Sequence, residues 1–154
     1  MASPSLPVVV SRTPTSLNLQ WAPPSSMGAQ IERYRLFMSG PRDEGVFEEV
    51  YSGPDTSFTK AMLTVGELYR FRASAVNSIG EGPMGPVREA LACVNPGAPA
   101  PIKVRSRSTT HIAVEWSPPF SDGGCPVTAY TLFQDGREVA RQLHMDFSTT
   151  NVVP

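Results

Sequence analysis

Hydrophobic and polar residues alternate along much of the chain, and a period of two is typical of half-buried β-strands. Leu17, Leu19 and Trp21 are predicted to face a core, whereas Asn18 and Gln20 between them face water. Seven runs of this kind, separated by turns rich in glycine and proline, fit into the first part of the chain. Seven short strands without a helical period predict an all-β fold of two packed sheets, a β-sandwich.

Two of these runs alternate most regularly and are expected to be central strands. The run IERYRLFM covers residues 31–38, and the run LYRFRASAVN covers residues 68–77. Their inner positions are predicted to be Tyr34, Leu36, Met38, Tyr69, Phe71, Ala73 and Ala75. Their outer positions include Arg33, Arg35, Phe37, Arg70 and Arg72. One sheet face is therefore predicted to be rich in arginine.

A second copy of the pattern follows the first. SLNLQWAPP matches HIAVEWSPP, and Trp116 and Tyr130 occupy the places of Trp21 and Tyr34. The period is domain-sized, because solenoid repeats are only about 20 to 50 residues long. The sequence predicts one domain at residues 1–92, a linker rich in proline and glycine at 93–100 and a second domain at 101–154.

The second copy is expected to be incomplete. Aligning DTSFTKAML with DFSTTNVVP places the end of the sequence level with Leu63, so the last two strands have no counterpart. A sheet with its inner face uncovered loses the burial of several side chains, each worth about 1.5–3 kcal/mol. We expect this half-domain to be completed by missing downstream sequence or by another chain.

These features resemble the fibronectin type III family. The resemblance rests on Trp21 followed by two prolines, on the strand around Tyr34, on LTVGELYRFRASAVN and on GEGP. It covers residues 4–91 as a complete domain and 99–154 as an incomplete one. Leu63, Gly66 and Tyr69 fit the family's Leu-x-Pro-Gly-x-x-Tyr pattern, with Val65 in place of the proline.

The resemblance implies roles for particular residues. The structural core would comprise Trp21, Tyr34, Leu63, Tyr69, Trp116 and Tyr130. The Tyr69 hydroxyl would bond back to the preceding loop, as in related sandwiches. Lys60 stands where the family has an inward valine, so that strand end is expected to fray or to let the lysine stem extend toward water.

Charge and composition exclude several classes of function. The formal net charge is −1, which provides no field for nucleic acid or an anionic membrane. Residues 1–12 lack the features of a secretory signal, and no Asn-x-Ser/Thr acceptor is present, so an intracellular location is expected. Cys93 and Cys125 have no metal-ligand spacing; free thiols are the favoured interpretation, with a disulfide left open.

No catalytic, metal or cofactor site is predicted. His111 and His144 have no nearby ligand or nucleophile pattern, and the segment RDEG at Arg42–Gly45 is interpreted as a solvated turn. The segment SIGEGP is followed by no helix, so a phosphate-binding role fails, and a hairpin loop is expected.

Two candidate protein-binding features remain in the first domain. If the two central strands are neighbours, Arg33, Arg35, Arg70 and Arg72 form a stripe that would hold an acidic partner such as a filament surface. The alternative, that Glu32, Glu48, Glu49 and Glu67 neutralise the stripe, is favoured because Ala129 and Thr131 replace arginines in the second copy. The second feature is the loop Asn77–Pro83, with Asn77, Gly80, Glu81 and Gly82 as candidate contacts.

The sequence therefore predicts a non-enzymatic protein-binding or spacer module. The resemblance favours a larger intracellular protein associated with the cytoskeleton, with protein partners and neither nucleic acid nor membrane. The alternatives are an extracellular adhesion or receptor segment and an accessory domain of a secreted carbohydrate-active enzyme. The outward aromatics Phe37 and Phe133 are interpreted as packing residues in both copies.

Overall fold

The computed structural model describes residues 2–25, 28–43 and 45–149 and divides the chain into two compact units, Met1–Val94 (unit 1) and Asn95–Pro154 (unit 2). Glu44 of the predicted turn Arg42–Gly45 and residues 150–154 of the predicted second domain lie outside the described residues. Every regular element in the described part of the chain is a β-strand. No helix in that part could cross a membrane.

Unit 1 contains the seven predicted strands. They are β1 (Val8–Thr13), β2 (Ser16–Gln20), β3 (Ile31–Ser39), β4 (Glu48–Gly53), β5 (Ser57–Lys60), β6 (Leu68–Asn77) and β7 (Arg88–Leu91). One sheet has the order β1-β2-β5 and the other the order β4-β3-β6-β7, and every pair is antiparallel. The predicted all-β sandwich is confirmed.

The core of unit 1 follows the predicted alternation. Leu17, Leu19 and Trp21 are buried on one sheet, and the inner positions of β3 and β6 form a single cluster with them. The ring of Trp21 meets that of Tyr34 edge-on, with the ring centres 6.2 Å apart. Burial of apolar and aromatic side chains stabilises the fold by about 25 cal/mol per Å² of apolar surface. The period of two therefore marks the residues that hold the two sheets together.

The loop between β5 and β6 has the hydrogen bond that the resemblance implied. The Thr64 N–H donates to the Tyr69 hydroxyl at 2.9 Å, and Leu63 is buried beside it. Gly66 adopts φ 83°, a conformation that favours glycine, and its N–H donates to the Ala92 carbonyl. Lys60 is the last residue of β5 and is half-buried. The tyrosine thus ties this loop to the core.

Unit 2 repeats the first part of this arrangement. Its strands are β8 (Lys103–Arg107), β9 (Ile112–Glu115), β10 (Tyr130–Gln134), β11 (Arg137–Gln142) and β12 (Asp146–Thr149). The sheet β12-β9-β8 corresponds to β5-β2-β1, and the pair β10-β11 corresponds to β3-β4. Trp116 is buried against the half-buried Tyr130, with ring centres 5.9 Å apart. Among the described residues of unit 2, no strand takes the place of β6 or β7.

The structure alters two expectations about single residues. Phe37 lies on the outer face of β3 but is only 8% exposed, whereas Phe133 on β10 is 59% exposed, so the packing interpretation suits Phe37 alone. The favoured free-thiol interpretation is wrong: both Cys93 and Cys125 are disulfide-bonded. Sequence spacing could not decide this, because disulfide formation depends on Cα separation in the folded chain.

Candidate protein-binding site

The four arginines lie on one sheet face, where the strand register divides them into two pairs. Arg33 lies opposite Val76 and Arg35 opposite Ser74 in the β3–β6 register, whereas Arg72 lies opposite Phe37 and Arg70 opposite Ser39. The arginines of β3 therefore occupy one end of the face and those of β6 the other. Residues directly opposite each other on adjacent strands lie side by side, so the strand register determines which charged side chains can pair.

Arg35 is held by two carboxylates. Its Nε donates to Glu49 on β4, and its Nη1 donates to Glu81 Oε2 at 2.7 Å. The hydrogen bond to Glu49, with further contributions from the charges of Glu81 and Glu49, raises the pKa of Arg35 above its usual value. Glu81 Oε1 also accepts from the Ser74 hydroxyl at 2.5 Å. This network fixes the loop residue Glu81 to two strands.

Two of the other arginines are also engaged. Arg70 Nε donates to Glu89 on β7 at 3.1 Å, and the Arg72 guanidinium lies 4.3 Å from the ring centre of Phe47. Arg33 is exposed and has no ion-pair partner within the described residues. Within the described part of the chain, Arg33 is the one of the four arginines that can pair with an acidic partner without losing an existing contact.

The favoured neutralised interpretation holds for Arg35 and Arg70, and only partly with the predicted glutamates. Glu49 pairs with Arg35 as expected, whereas Glu32, Glu48 and Glu67 form no ion pair within the part of the chain that the structure describes. Glu81 and Glu89 take their places. The Glu89 contact could have been found from the antiparallel pairing of β6 with β7, which places it opposite Arg70.

The loop Asn77–Pro83 is a closed turn rather than a loose connection. The Asn77 Oδ1 accepts from the N–H groups of Ile79 at 2.9 Å and of Gly80 at 3.2 Å. The Asn77 and Gly80 main chains also exchange hydrogen bonds at 3.1 and 3.2 Å, and the Gly82 N–H donates to the Ala75 carbonyl at 2.9 Å. Gly80 adopts φ 151°, which favours glycine. An Asx turn of this kind organises the backbone without outside support.

The tip of this loop presents one apolar side chain. Ile79 is 88% exposed, although the backbone on both sides of it is hydrogen-bonded. Gly80 and Gly82 shape the turn, Asn77 closes it, and Glu81 anchors it to Arg35 and Ser74. The four loop residues predicted as contacts also hold the loop in shape, and their role as contacts stays a prediction. Ile79, which the sequence analysis did not single out, is a large apolar side chain that directly precedes Gly80.

Comparison with known proteins agrees with this geometry. The family model described as "Fibronectin type III domain" matches residues 2–90. The chain belongs to the fibronectin type III family. Fibronectin type III domains are generally non-catalytic modules of multidomain proteins. Within the described residues, no three His, Cys, Asp or Glu side chains are grouped so as to bind a metal ion.

Three similar proteins represent the matches. The mouse fibronectin type-III domain-containing protein 3A is 34% identical over 146 residues, which is 91% of this chain and 12% of that protein. The chicken receptor-type tyrosine-protein phosphatase S is 30% identical over 142 residues, 88% of this chain and 9% of its own. The solved fibronectin type III domain of human fibronectin type III domain containing protein 3 superposes on this chain with a TM-score of 0.53 and 30% identity. The match covers 58% of this chain and 84% of that one. The chain thus spans a small part of the relatives that it matches.

Proposed function

We propose that this chain is a non-enzymatic protein-binding and spacer module of a larger multidomain protein, and that the loop Asn77–Pro83 is its binding element in unit 1. The observation that carries the proposal is the exposed Ile79 on a backbone closed by Asn77. A loop that is already ordered loses little conformational entropy when it binds. An apolar side chain at its tip can then enter a pocket on a partner.

The engaged arginines bear on the kind of partner. An acidic filament surface could pair with Arg33, but it would have to displace Glu49 and Glu81 from Arg35. Exchange of one carboxylate for another yields little net free energy. We therefore propose that the partner contacts Ile79 and that Arg33 adds a favourable charge interaction. This mode is preferred to binding of an acidic filament surface through the arginines alone.

We further propose that unit 2 is completed by additional strands, from downstream sequence or from another chain. A groove of about 260 Å³ lies against Trp116, Tyr130 and Leu132, next to the edge of β10 that corresponds to the β6-facing edge of β3. Unpaired backbone groups at such an edge are a template for strand addition. In unit 1 the matching edge is covered by β6.

The second candidate function is an extracellular adhesion or receptor segment. The disulfide-bonded state of Cys93 and Cys125 favours it over the intracellular location, because disulfides persist mainly in oxidising compartments. Alkylation of the native protein without reduction, followed by mass spectrometry, distinguishes the two. Unmodified cysteines support the extracellular alternative, and fully alkylated cysteines support the intracellular one.

The binding role of the loop is tested by capture of partners from an extract of the source cells. Ile79→Ser is expected to reduce capture by about tenfold, since apolar anchors dominate interface energies. Met62→Ser is the matched control, because Met62 is 93% exposed on the loop at the other end of β6. Equal capture by the wild type and both variants would reject the loop as the binding element.

A further inference from the structure

Unit 2 has an apolar patch that has no counterpart among the described residues of unit 1. Phe120 is fully exposed in the turn after Trp116, and Leu143 and Met145 are 60% and 39% exposed in the connection between β11 and β12. These three side chains border an open groove of about 580 Å³ whose floor includes Val127 and Tyr130. Contiguous exposed apolar surface of this kind marks interaction sites.

The equivalent positions in unit 1 can be assigned from backbone hydrogen bonds. The Trp21 N–H donates to the Thr56 carbonyl at 2.9 Å, and the Trp116 N–H donates to the Met145 carbonyl at 3.1 Å, so Met145 corresponds to Thr56. Counting from these anchors, Leu143 corresponds to Pro54 and Phe120 to Ser25. The fold is built without large apolar groups at these positions, so unit 2 does not need them for folding.

The same comparison indicates that added strands would leave the patch open. Unit 1 has its full set of seven strands, yet Ser25 and Pro54 remain exposed. Completion of unit 2 beside β10 would therefore cover Tyr130, which lines both grooves, as β6 covers Tyr34. It would leave the positions of Phe120 and Leu143 open.

Both loops that carry the patch are ordered by local hydrogen bonds. The Gly123 N–H donates to the Ser121 hydroxyl at 3.2 Å, and the Gly124 N–H donates to Asp122 Oδ1 at 2.9 Å. Across from them, the Gln142 side-chain amide donates to the His144 carbonyl at 3.1 Å. Pre-organisation of this kind lowers the entropy lost on binding.

Charge specifies the partner. Among the described residues that line the groove, Asp122 is the one charged residue and none is a cation. We propose that the Phe120–Leu143–Met145 patch binds a protein segment with an apolar anchor flanked by lysine or arginine. The apolar anchor fills the groove, and the flanking cation pairs with the Asp122 carboxylate, whose Oδ2 is not used by the turn. An anionic membrane is disfavoured because the groove offers it no positive charge.

The test uses the full chain, isotopically labelled, and two matched synthetic peptides that share a leucine–phenylalanine core. Lysines flank the core in one peptide and glutamates in the other. In nuclear magnetic resonance titrations at low salt, amides of residues 120–124 and 143–145 are expected to shift. The lysine peptide should bind about threefold more tightly than the glutamate peptide, because an exposed ion pair contributes an affinity difference of this size.

Three variants locate the site. Phe120→Ser, which introduces the residue found at the equivalent position of unit 1, should weaken binding of the lysine peptide about tenfold. Phe133→Ser is the control, an exposed aromatic outside this groove, and should change binding less than twofold. Asp122→Asn keeps the Oδ1 acceptor for the Gly124 N–H and should make the affinities of the two peptides equal.

Four results would overturn the proposal. They are no shift with either peptide, equal binding of both peptides by the wild type, shifts at these amides caused by phosphatidylserine vesicles instead of peptide, and concentration-dependent shifts without any peptide. The last two would identify the occupant as a membrane or as a second copy of the chain.

Discussion

The two units begin with the same aromatic pair and differ in what covers it. Trp21 and Tyr34 meet at 6.2 Å and 64°, and Trp116 and Tyr130 meet at 5.9 Å and 63°. Tyr34 is buried because β6 lies beside β3, whereas Tyr130 is half-buried beside an open groove. The local motif is thus sufficient to set ring geometry, but burial requires a strand that is remote in sequence.

A second difference lies between the paired strands. Both pairs have an irregular register at the same place, between Leu36 and Phe37 and between Leu132 and Phe133. In unit 2 the strands are joined by Asp135 and Gly136 with φ 52° and 78°, as in a type I′ turn, whereas unit 1 uses a longer connection that brings Phe47 onto Arg72. Arg35 covers Phe37 at 4.9 Å, but Thr131 at the matching position cannot cover Phe133. Equivalent aromatics therefore differ in burial.

The largest expected effect is the loss of folding by unit 2 alone. Residues 1–95 should give a cooperative thermal melt in far-UV circular dichroism, and residues 96–154 should not. The reason is the uncovered inner face, where several side chains each forgo about 1.5–3 kcal/mol of burial. Both fragments should be measured with reductant present, so that neither forms a disulfide. A sharp melt for residues 96–154 would break the comparison.

The two tryptophans should differ in energetic importance. Trp21→Ala is expected to cost unit 1 about 3–5 kcal/mol, because the surrounding core cannot collapse into the cavity. Trp116→Ala should cost unit 2 less, since its ring borders a groove that is already open. Urea unfolding of the full chain, followed by signals assigned to each unit, measures both. Equal costs would contradict the difference in packing.

The tyrosine hydrogen bond gives the next effect. Tyr69→Phe should lower the free energy of unfolding of unit 1 by about 1–3 kcal/mol, because the Thr64 N–H loses its acceptor. Tyr130→Phe is the control in unit 2. A shift in the urea midpoint for Tyr130→Phe as large as that for Tyr69→Phe would show that the loop contact is not the cause.

The smallest effect concerns backbone strain. Met62 adopts φ 59° on an exposed loop of unit 1, and Asp135 adopts φ 52° in unit 2. Met62→Gly should stabilise unit 1 by about 0.5–1 kcal/mol, because a long side chain is strained in this region. Asp135→Gly should change stability less, since aspartate tolerates the conformation. Thermal melts of both variants provide the measurement. A lower melting temperature for Met62→Gly would show that the Met62 backbone is not strained.

The sequence could predict contacts within one alternating pattern, but not those that depend on loops. The inner positions of β3 and β6 followed from period two, and the Tyr69 bond followed from the family resemblance that Leu63, Gly66 and Tyr69 carry. Glu81 reaches Arg35 only because its loop folds back, which a list of charges does not reveal. Likewise, Phe120 and Leu143 border one groove because two turns meet in the fold.

Amide hydrogen exchange in the intact chain tests the central claim most directly, namely that β6 makes the difference between the two units. Amides of β3 that bond to β6 should exchange only through global unfolding of unit 1. Their counterparts on β10, on the side away from β11, should exchange at least about a hundredfold faster, because no strand protects that edge in the described structure. Equal protection of β3 and β10 would contradict the account.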